Sequence, residues 1–428
     1  MNYSKIVESN VEMDFLIIPD NTKYWFVRAS QKAEFFNDFK INNFIAIGDN
    51  EMTLDRLKGI EDKYKASADI LKERYKILFN NLYIDLVKKN DEFKKQTKSE
   101  QADTLENVKR SSTIASYKAF SFIEEMSIGD YVFVPHKSSN AFLIGIIISD
   151  VFDQDIDHEY FGDDYEYPIS NYDKKRRIAW LKEISLNELP PKLMWIQNGH
   201  KAIFDISNFS DEINPILSNS YQYKDKLHLK IDVATKQDIT STQWLNYQQV
   251  IHTNAKENAD NLYQKTDVQS PGKIILETAI ENWDTIAIIF ALLFAEPDID
   301  IKGVKFKNHG PLSFLVPGSK KRRELENRSS EAKIRKEEAE TKLVELEVEE
   351  KELDLKQKKN NNKIIGVPGI LTNSTEVETK AYSSNPVEAP TKEQQISLQQ
   401  MDIKYKSIGN DITHETQRKI LNQENNQS

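Results

Sequence analysis

The hydrophobic period changes twice along this chain, and that change limits the fold more than any single motif. Within residues 54–122, Tyr64, Leu71 and Leu78 recur at intervals of seven, and Ala68, Tyr75 and Leu82 fall four residues after each. Apolar residues at such a and d positions form a helical seam, here with Lys and Glu on the outer faces. The pattern continues through Leu86 to Phe93. Residues 99–104 are a polar break, and Leu105, Val108, Ser112 and Ala115 then define a returning helix. The economical reading is a helical hairpin over 54–122. Its seam packs either on the domain that carries it or on a second chain.

On both sides of the hairpin the chain reads as short strands. Phe15-Leu-Ile-Ile precedes Pro19, Tyr24-Trp-Phe-Val-Arg28 is rich in β-formers, and Phe44-Ile-Ala-Ile-Gly48 follows a helix with Phe35, Phe36 and Phe39 on one face. After the hairpin come strands at 129–135, 141–149 and 177–184. Short strands, little helix and Gly145 inside the second strand point to a small, bent barrel. Pro190-Pro191 closes this region.

A second α+β unit is expected over 225–318. Leu227–Val233 alternates like a strand, Thr240 or Ser241 can cap a helix starting near Trp244, and 273–277, 299–307 and 312–316 read as strands. The apolar run 286–295 has Asp284 and Glu296 beside it. A membrane span needs about 20 apolar residues, so this is read as a buried core helix and no membrane partner is expected. No secretory signal opens the sequence, so a cytoplasmic location is expected. Residues 320–359 lack Gly and Pro and carry Leu325, Ala332, Ala339, Leu346 and Leu353 at intervals of seven, as a long charged helix would. Residues 360–428 are rich in Asn, Ser, Thr, Glu and Gln, the composition of a disordered tail, with one short helix near 392–408. The expected fold class is therefore α+β. It comprises a pseudo-barrel domain over 1–218 with the hairpin inserted, a small α+β domain over 225–318, the helix and the tail.

Composition narrows the chemistry. The net charge of -10 excludes a globally basic nucleic-acid coat but allows a local basic patch. The absence of cysteine excludes disulfides, thiolate catalysis and cysteine-ligated metal sites. No two histidines are spaced as H-x-x-x-H, and the acids from Asp153 to Glu159 have His158 where a calcium loop needs glycine, so they read as a solvated acidic loop. Every E-x-K triplet lies in an expected helix or in the tail, away from the strand end a nuclease requires, and no phosphate-binding glycine loop occurs. No cofactor is expected, and no enzymatic activity.

The remaining signal is aromatic and cationic. Trp25 and Arg28 share a strand, and Asp49 follows Gly48 at the end of another. Tyr165 and Tyr167 crowd a loop before Lys174-Lys-Arg-Arg177, which places Arg176 and Arg177 beside them in sequence. Aromatic rings stack on bases, and arginine grips phosphates or base edges. The same residues also read as core aromatics and an acidic loop neutralised by the basic run.

Six blocks in order carry a resemblance. They are Trp25-Phe-Val-Arg-Ala29, Phe44-Ile-Ala-Ile-Gly48, Gly129-Asp-Tyr-Val-Phe-Val-Pro135, Leu143-Ile-Gly-Ile146, Arg177-Ile-Ala-Trp-Leu181 and Leu189-Pro-Pro. Over about residues 20–210 this resembles the EVE/PUA-like N-terminal domains found ahead of Mrr-type restriction endonucleases. The resemblance implies a pseudo-barrel whose pocket takes a flipped modified base or a nucleotide-like ligand, using Trp25, Arg28 and the residue after Gly48. That family usually has tryptophan after A-I-G. Here Asp49 stands there, and a carboxylate can accept a hydrogen bond from a base amino group. The nuclease that normally follows is missing. The implied function is a non-catalytic reader of modified DNA or of a nucleotide, a sensor or adaptor in bacterial defence against foreign DNA. The expected ligand-binding residues are Trp25, Arg28, Gly48, Asp49, Tyr165, Tyr167, Arg176 and Arg177. Further expected partners are an unidentified effector protein and a second copy of the chain, joined through 225–318 and 320–359. The competing reading is a scaffold with a degenerate barrel. An open pocket lined by Trp25 and Arg28 favours the reader, and a plugged one favours the scaffold.

Overall fold

A computed structural model describes residues 11–63, 67–154, 167–199, 201–268, 271–294, 304–309, 379–381 and 388–405. The expected helix 320–359 and the strand 312–316 lie outside these residues. In chain order the strands are β1 (Val11–Ile17), β2 (Tyr24–Val27), β3 (Phe44–Ile47), β4 (Tyr131–Pro135), β5 (Ala141–Ile147), β6 (Phe152–Asp153), β7 (Lys174–Ser185) and β8 (Ile203–Asp205). They continue with β9 (Ser220–Tyr223), β10 (Lys226–Val233), β11 (Tyr263–Val268), β12 (Gly272–Ala279), β13 (Val304–His309), β14 (Thr379–Ala381) and β15 (Ile403–Lys404). The fold is mixed α+β with curled sheets that form a half-barrel.

The chain divides into two compact units. One spans 23–208 and the other takes the described parts of 1–22, 209–314 and 372–413. The expected boundary at 218 therefore moves. Residues 11–22 and 209–217 belong with the second unit, because β1 pairs in parallel with both β9 and β13. Those partners lie roughly 200 and 290 residues further along, and no local pattern signals such pairing.

In the unit 23–208 the strand order is β3-β7-β5-β4-β2-β8, with β6 on β7. The register between β5 and β7 shifts at Ile144/Gly145, a bulge that bends the sheet. Glycine is required there, since a Cβ would sit 2.4 Å from Ile178 Cγ2 and 2.5 Å from Trp180 Cε3.

Helix α1 (Phe36–Asn42) precedes β3, and the hairpin is inserted between β3 and β4 as α2 (Leu54–Lys63), α3 (Ala68–Lys89), α4 (Asp91–Lys95) and α5 (Lys98–Phe120). Thr97 and Glu100 close a capping box at the start of α5, satisfying two otherwise unpaired backbone donors. The buried seam of α3 is Leu71, Tyr75 and Phe79, with Leu82 and Tyr83 half-buried beside it. These residues join the same core as Val132, Ile147 and Ile178, so the seam packs on its own unit. Spacings of four, four and three replace the strict seven because a straight helix has 3.6 residues per turn and drifts off a heptad. Ala68 is exposed, and Tyr64 lies outside the described residues.

The other unit is built on the order β11-β12-β10-β9-β1-β13-β14, with β15 also on β10. Helices α6 (Ser210–Leu217), α7 (Ser241–Ala255) and α8 (Trp283–Phe294) accompany it. Thr240 caps α7, with Gln243 completing the capping box. In α8, Ile286, Ala287, Ile289, Phe290 and Ala291 are buried, as expected of a core helix. Among the described residues no helix is long and apolar enough to cross a membrane.

Within the tail expected over 360–428 the short helix read near 392–408 is present, and the correction is that residues 388–405 are docked rather than loose. Residues Lys392–Gln400 form a helix, capped by Thr391, on α7, where Asn246 Nδ2 donates to Ser397 Oγ at 2.8 Å. Leu398 and Met401 are buried in the core of this unit, and β15 pairs with the end of β10. Two apolar side chains and a matched polar edge suffice for docking, and neither registers in an average composition.

Candidate functional site

The site is assembled where β2, β3 and the loop before β8 converge, with α5 alongside. Arg28 directly follows β2. Its backbone N–H donates to Ala202 O at 2.8 Å, and its Nη2 donates to Gly199 O. Its Nε is buried and has no hydrogen-bond partner. Burial lowers the guanidinium pKa, but arginine holds its charge across the physiological range.

A cavity of about 860 Å³ opens beside Arg28, within the size range of small-molecule sites. Its wall carries three cations, Arg28, Lys32 and Lys118, together with Tyr172, Gln197 and Asn198, over a floor that includes Ile47 and Ile203. Among the described residues no carboxylate lines it. Gly48 lies in the wall because Tyr172 approaches closely: a Cβ would meet Tyr172 Cε1 at 2.9 Å. A second cavity of about 470 Å³ shares Arg28, Ser30, Lys32 and Gln197 with the first.

The backbone here is strained. Ser30 has φ 70°, Lys32 φ 54° and Ala33 φ 56°, and Asp49 has φ 66° at the end of β3. Non-glycine residues in such conformations cost about 1–3 kcal/mol each and gather at functional sites.

Asp49 faces a different task from the one expected. Its Oδ1 accepts from the Tyr83 hydroxyl of α3, its Oδ2 lies 2.5 Å from Lys118 Nζ of α5, and its backbone carbonyl accepts from Lys174 Nζ at 3.0 Å. Burial works to raise the carboxyl pKa. The charge and hydrogen bond of Lys118, the Tyr83 hydroxyl and the charge of Lys174 outweigh burial, and the net shift is downward. The carboxylate is thus engaged in fastening the hairpin and is not a free acceptor for a base.

Trp25 is corrected from pocket wall to core. It is 1% exposed, and its Nε1 donates to Asp130 Oδ2 at 3.1 Å. Asp130 also accepts from the backbone N–H groups of Lys23 and Ser127, and burial still pushes its carboxyl up. The physical reason is topological: β2 lies between β4 and β8 with all four residues buried, so neither face of the strand opens to solvent.

Arg176 is corrected in the same way. Its guanidinium donates to the carbonyls of Phe122, Ile123, Met126 and Ser149, pinning the turn that follows α5 to β7. Burial pushes its pKa down to about 10. Arg177 lies over the Phe152 ring at 5.4 Å, and neither it nor the half-buried Tyr167 lines the cavity. Tyr165 lies outside the described residues.

Of the expected residues, Arg28 and Gly48 meet at the cavity, with Asp49 just behind. Lys118, Tyr172, Lys32 and Gln197 went unread in the sequence. Tyr172 stands two residues before the basic run that drew notice, which is a signal of a kind. Lys118 is one of many lysines on a helix and carried none.

One known family, described as a domain of unknown function (DUF8426), matches residues 57–198. That stretch contains Lys118, Tyr172 and Gln197 and leaves out Arg28, Lys32 and Gly48. No curated protein and no solved structure matches the chain.

Proposed function

We propose that the unit 23–208 is a non-catalytic reader of modified DNA bases or nucleotide-like ligands, acting as a sensor or adaptor in bacterial defence against foreign DNA. The observation that carries this reading is the cavity of about 860 Å³, with Arg28, Lys32 and Lys118 in its wall and no carboxylate among its described lining residues. Arg28 and Lys32 favour an anion, with Lys118 already paired to Asp49, the Tyr172 ring offers a stacking face, and Gln197 and Asn198 offer amide donors and acceptors for a polar edge. Arg28 adds a buried Nε–H without a partner, a donor that a ligand would satisfy. The six-block resemblance to EVE/PUA-like domains adds support from sequence, with Tyr172 rather than Trp25 as the aromatic at the site.

The scaffold reading draws support from Trp25 and Arg176, both fully committed to packing. The open cavity at Arg28 favours the reader. The test is equilibrium binding of the full chain to methylated, hydroxymethylated and plain oligonucleotides and to free nucleotides. Arg28→Ala is expected to weaken binding about tenfold or more, as loss of one arginine contact does, with the melting temperature nearly unchanged. Absence of binding to every probe, or equal affinity of mutant and wild type, would overturn the reading.

A further inference from the structure

The smaller cavity has a composition of its own. Besides Arg28 and Lys32 it is lined by His136 and Lys137, and among the described residues no Asp or Glu faces it. It lies between two short segments, Gln31–Ala33 and Lys137–Ser139. Four of its lining residues hold left-handed backbone conformations without being glycine: Ser30, Lys32, Ala33 and Ser139. The His136 ring is fixed from two sides, by Asn140 Oδ1 at 3.2 Å from Nδ1 and by the edge contact with Phe36 at 4.7 Å between centroids. Lys32 and Lys137 are exposed, and among the described residues neither makes an ion pair. Two strained segments thus hold a cluster of cationic and imidazole groups around a pocket whose described lining offers no counter-charge.

Arg28 stands in the wall of both cavities, as do Ser30, Lys32 and Gln197. A ligand seated in the larger cavity therefore has a second chamber within reach of the same arginine. We propose that the smaller cavity is a phosphate subsite, so that the ligand of the larger cavity carries a phosphate monoester or diester that enters it. This rests on the reading of the larger cavity as a base or nucleotide site and adds the part of the ligand it must bear. Ammonium and guanidinium groups facing one chamber suit a tetrahedral oxyanion, to which charge-assisted hydrogen bonds are the strong ones. A phosphate attached to a nucleoside has two sources, a free nucleotide or a link in a strand, and both present the same oxygens.

The test uses the full chain and the variant Lys137→Gln, which changes one exposed side chain that lines the smaller cavity alone and keeps Arg28 and Lys32. Four probe sets are titrated: 5-methyl- and 5-hydroxymethyl-deoxycytidine with the four ordinary deoxynucleosides, their 5′-monophosphates, short single-stranded oligonucleotides containing them, and inorganic phosphate. Phosphate-bearing probes are expected to bind the wild type about tenfold or more tightly than the matching nucleosides. Lys137→Gln is expected to lose most of that advantage and leave nucleoside affinity unchanged. Tighter binding of the monophosphate marks a free nucleotide as the source, tighter binding of the oligonucleotide marks a strand, and either supports the subsite. Equal affinity for nucleoside and nucleotide overturns the subsite and leaves the base-binding reading standing. Protection of Lys32 and Lys137 from amine labelling by inorganic phosphate, with no base-containing probe bound, supports the subsite and overturns that reading. No binding and no protection overturns both.

Discussion

Lys118 Nζ lies 2.5 Å from Asp49 Oδ2, so the second long helix of the hairpin is fastened just beyond the end of β3. The same carboxylate takes the Tyr83 hydroxyl from the first long helix. Both arms of the hairpin therefore meet one side chain, directly behind the Gly48 wall of the cavity.

Asp49→Asn should cost about 1–3 kcal/mol near neutral pH, the range for leaving buried hydrogen-bonding groups unsatisfied. Asparagine tolerates the left-handed conformation at this position, so the loss reports on the charge. The pH dependence has a definite sign. The folded-state pKa of Asp49 is depressed below its unfolded value of about 3.9, so its contribution is fully present above that value and fades as pH falls through the lower, folded value. Urea unfolding from pH 7 to pH 2 should show wild type and variant converging only in the acid range. A constant difference across the range would mean that the cost is steric.

Two glycines should respond unequally to alanine. At Gly145 the new methyl meets Ile178, Trp180 and the Ala179 carbonyl at 2.4–3.0 Å, all in the core. At Gly48 it meets the Tyr172 ring, which borders a cavity and has room to swing. Overpacking costs about 1–3 kcal/mol, occasionally more, and Gly145→Ala should lie at or above the top of that range. Gly48→Ala should cost less stability and more ligand affinity. Thermal melts paired with binding titrations separate the two.

Trp25→Ala should destabilise the fold by about 3–5 kcal/mol, the usual cost of emptying a large aromatic site. Any loss of ligand binding should track the unfolded fraction. Arg28→Ala should do the reverse, weakening binding without moving the melt. Circular dichroism melts recorded beside the titrations check both. A stable Trp25→Ala protein that has lost its ligand would restore the tryptophan to the pocket.

Ending the chain at residue 387 should lower the melting temperature of the unit that contains α7 and α8. The deletion removes Leu398 and Met401 from its core and β15 from β10. Met401→Ala, at a fully buried position, should cost about 2–5 kcal/mol. A melt unchanged by both alterations would return this segment to the status of a loose tail.

What the sequence disclosed depended on whether the cause was local. Capping residues and helical periodicity located α3, α5 and α7, and Gly145 marked the bend in β5, since each effect arises within a few residues. The placement of β1 was illegible because its partners enter the chain hundreds of residues later. Trp25 misled because a strand covered on both faces carries no alternation to say which side is open. Arg28 was found through the Trp25-Phe-Val-Arg-Ala29 block, and it reaches the cavity because it follows directly on the end of β2. Tyr172 and Lys118 reach the cavity only through tertiary packing, and while the short helix near 392–408 was legible, its docking was hidden in a polar average.

The sheet holding β1 also sets an order of events during synthesis. All the described residues of the first unit fall within 23–208, so they are translated before β9 is made. Its neighbour must keep Val11–Ile17 waiting while that whole unit is made, and must then wait again for Leu398, Met401 and Ile403 to be translated. Until then the apolar face of α8 and the end of β10 lack their last covers. The nascent chain thus passes through a stage with one finished unit and one unfinished one, and that interval is when it most needs a chaperone.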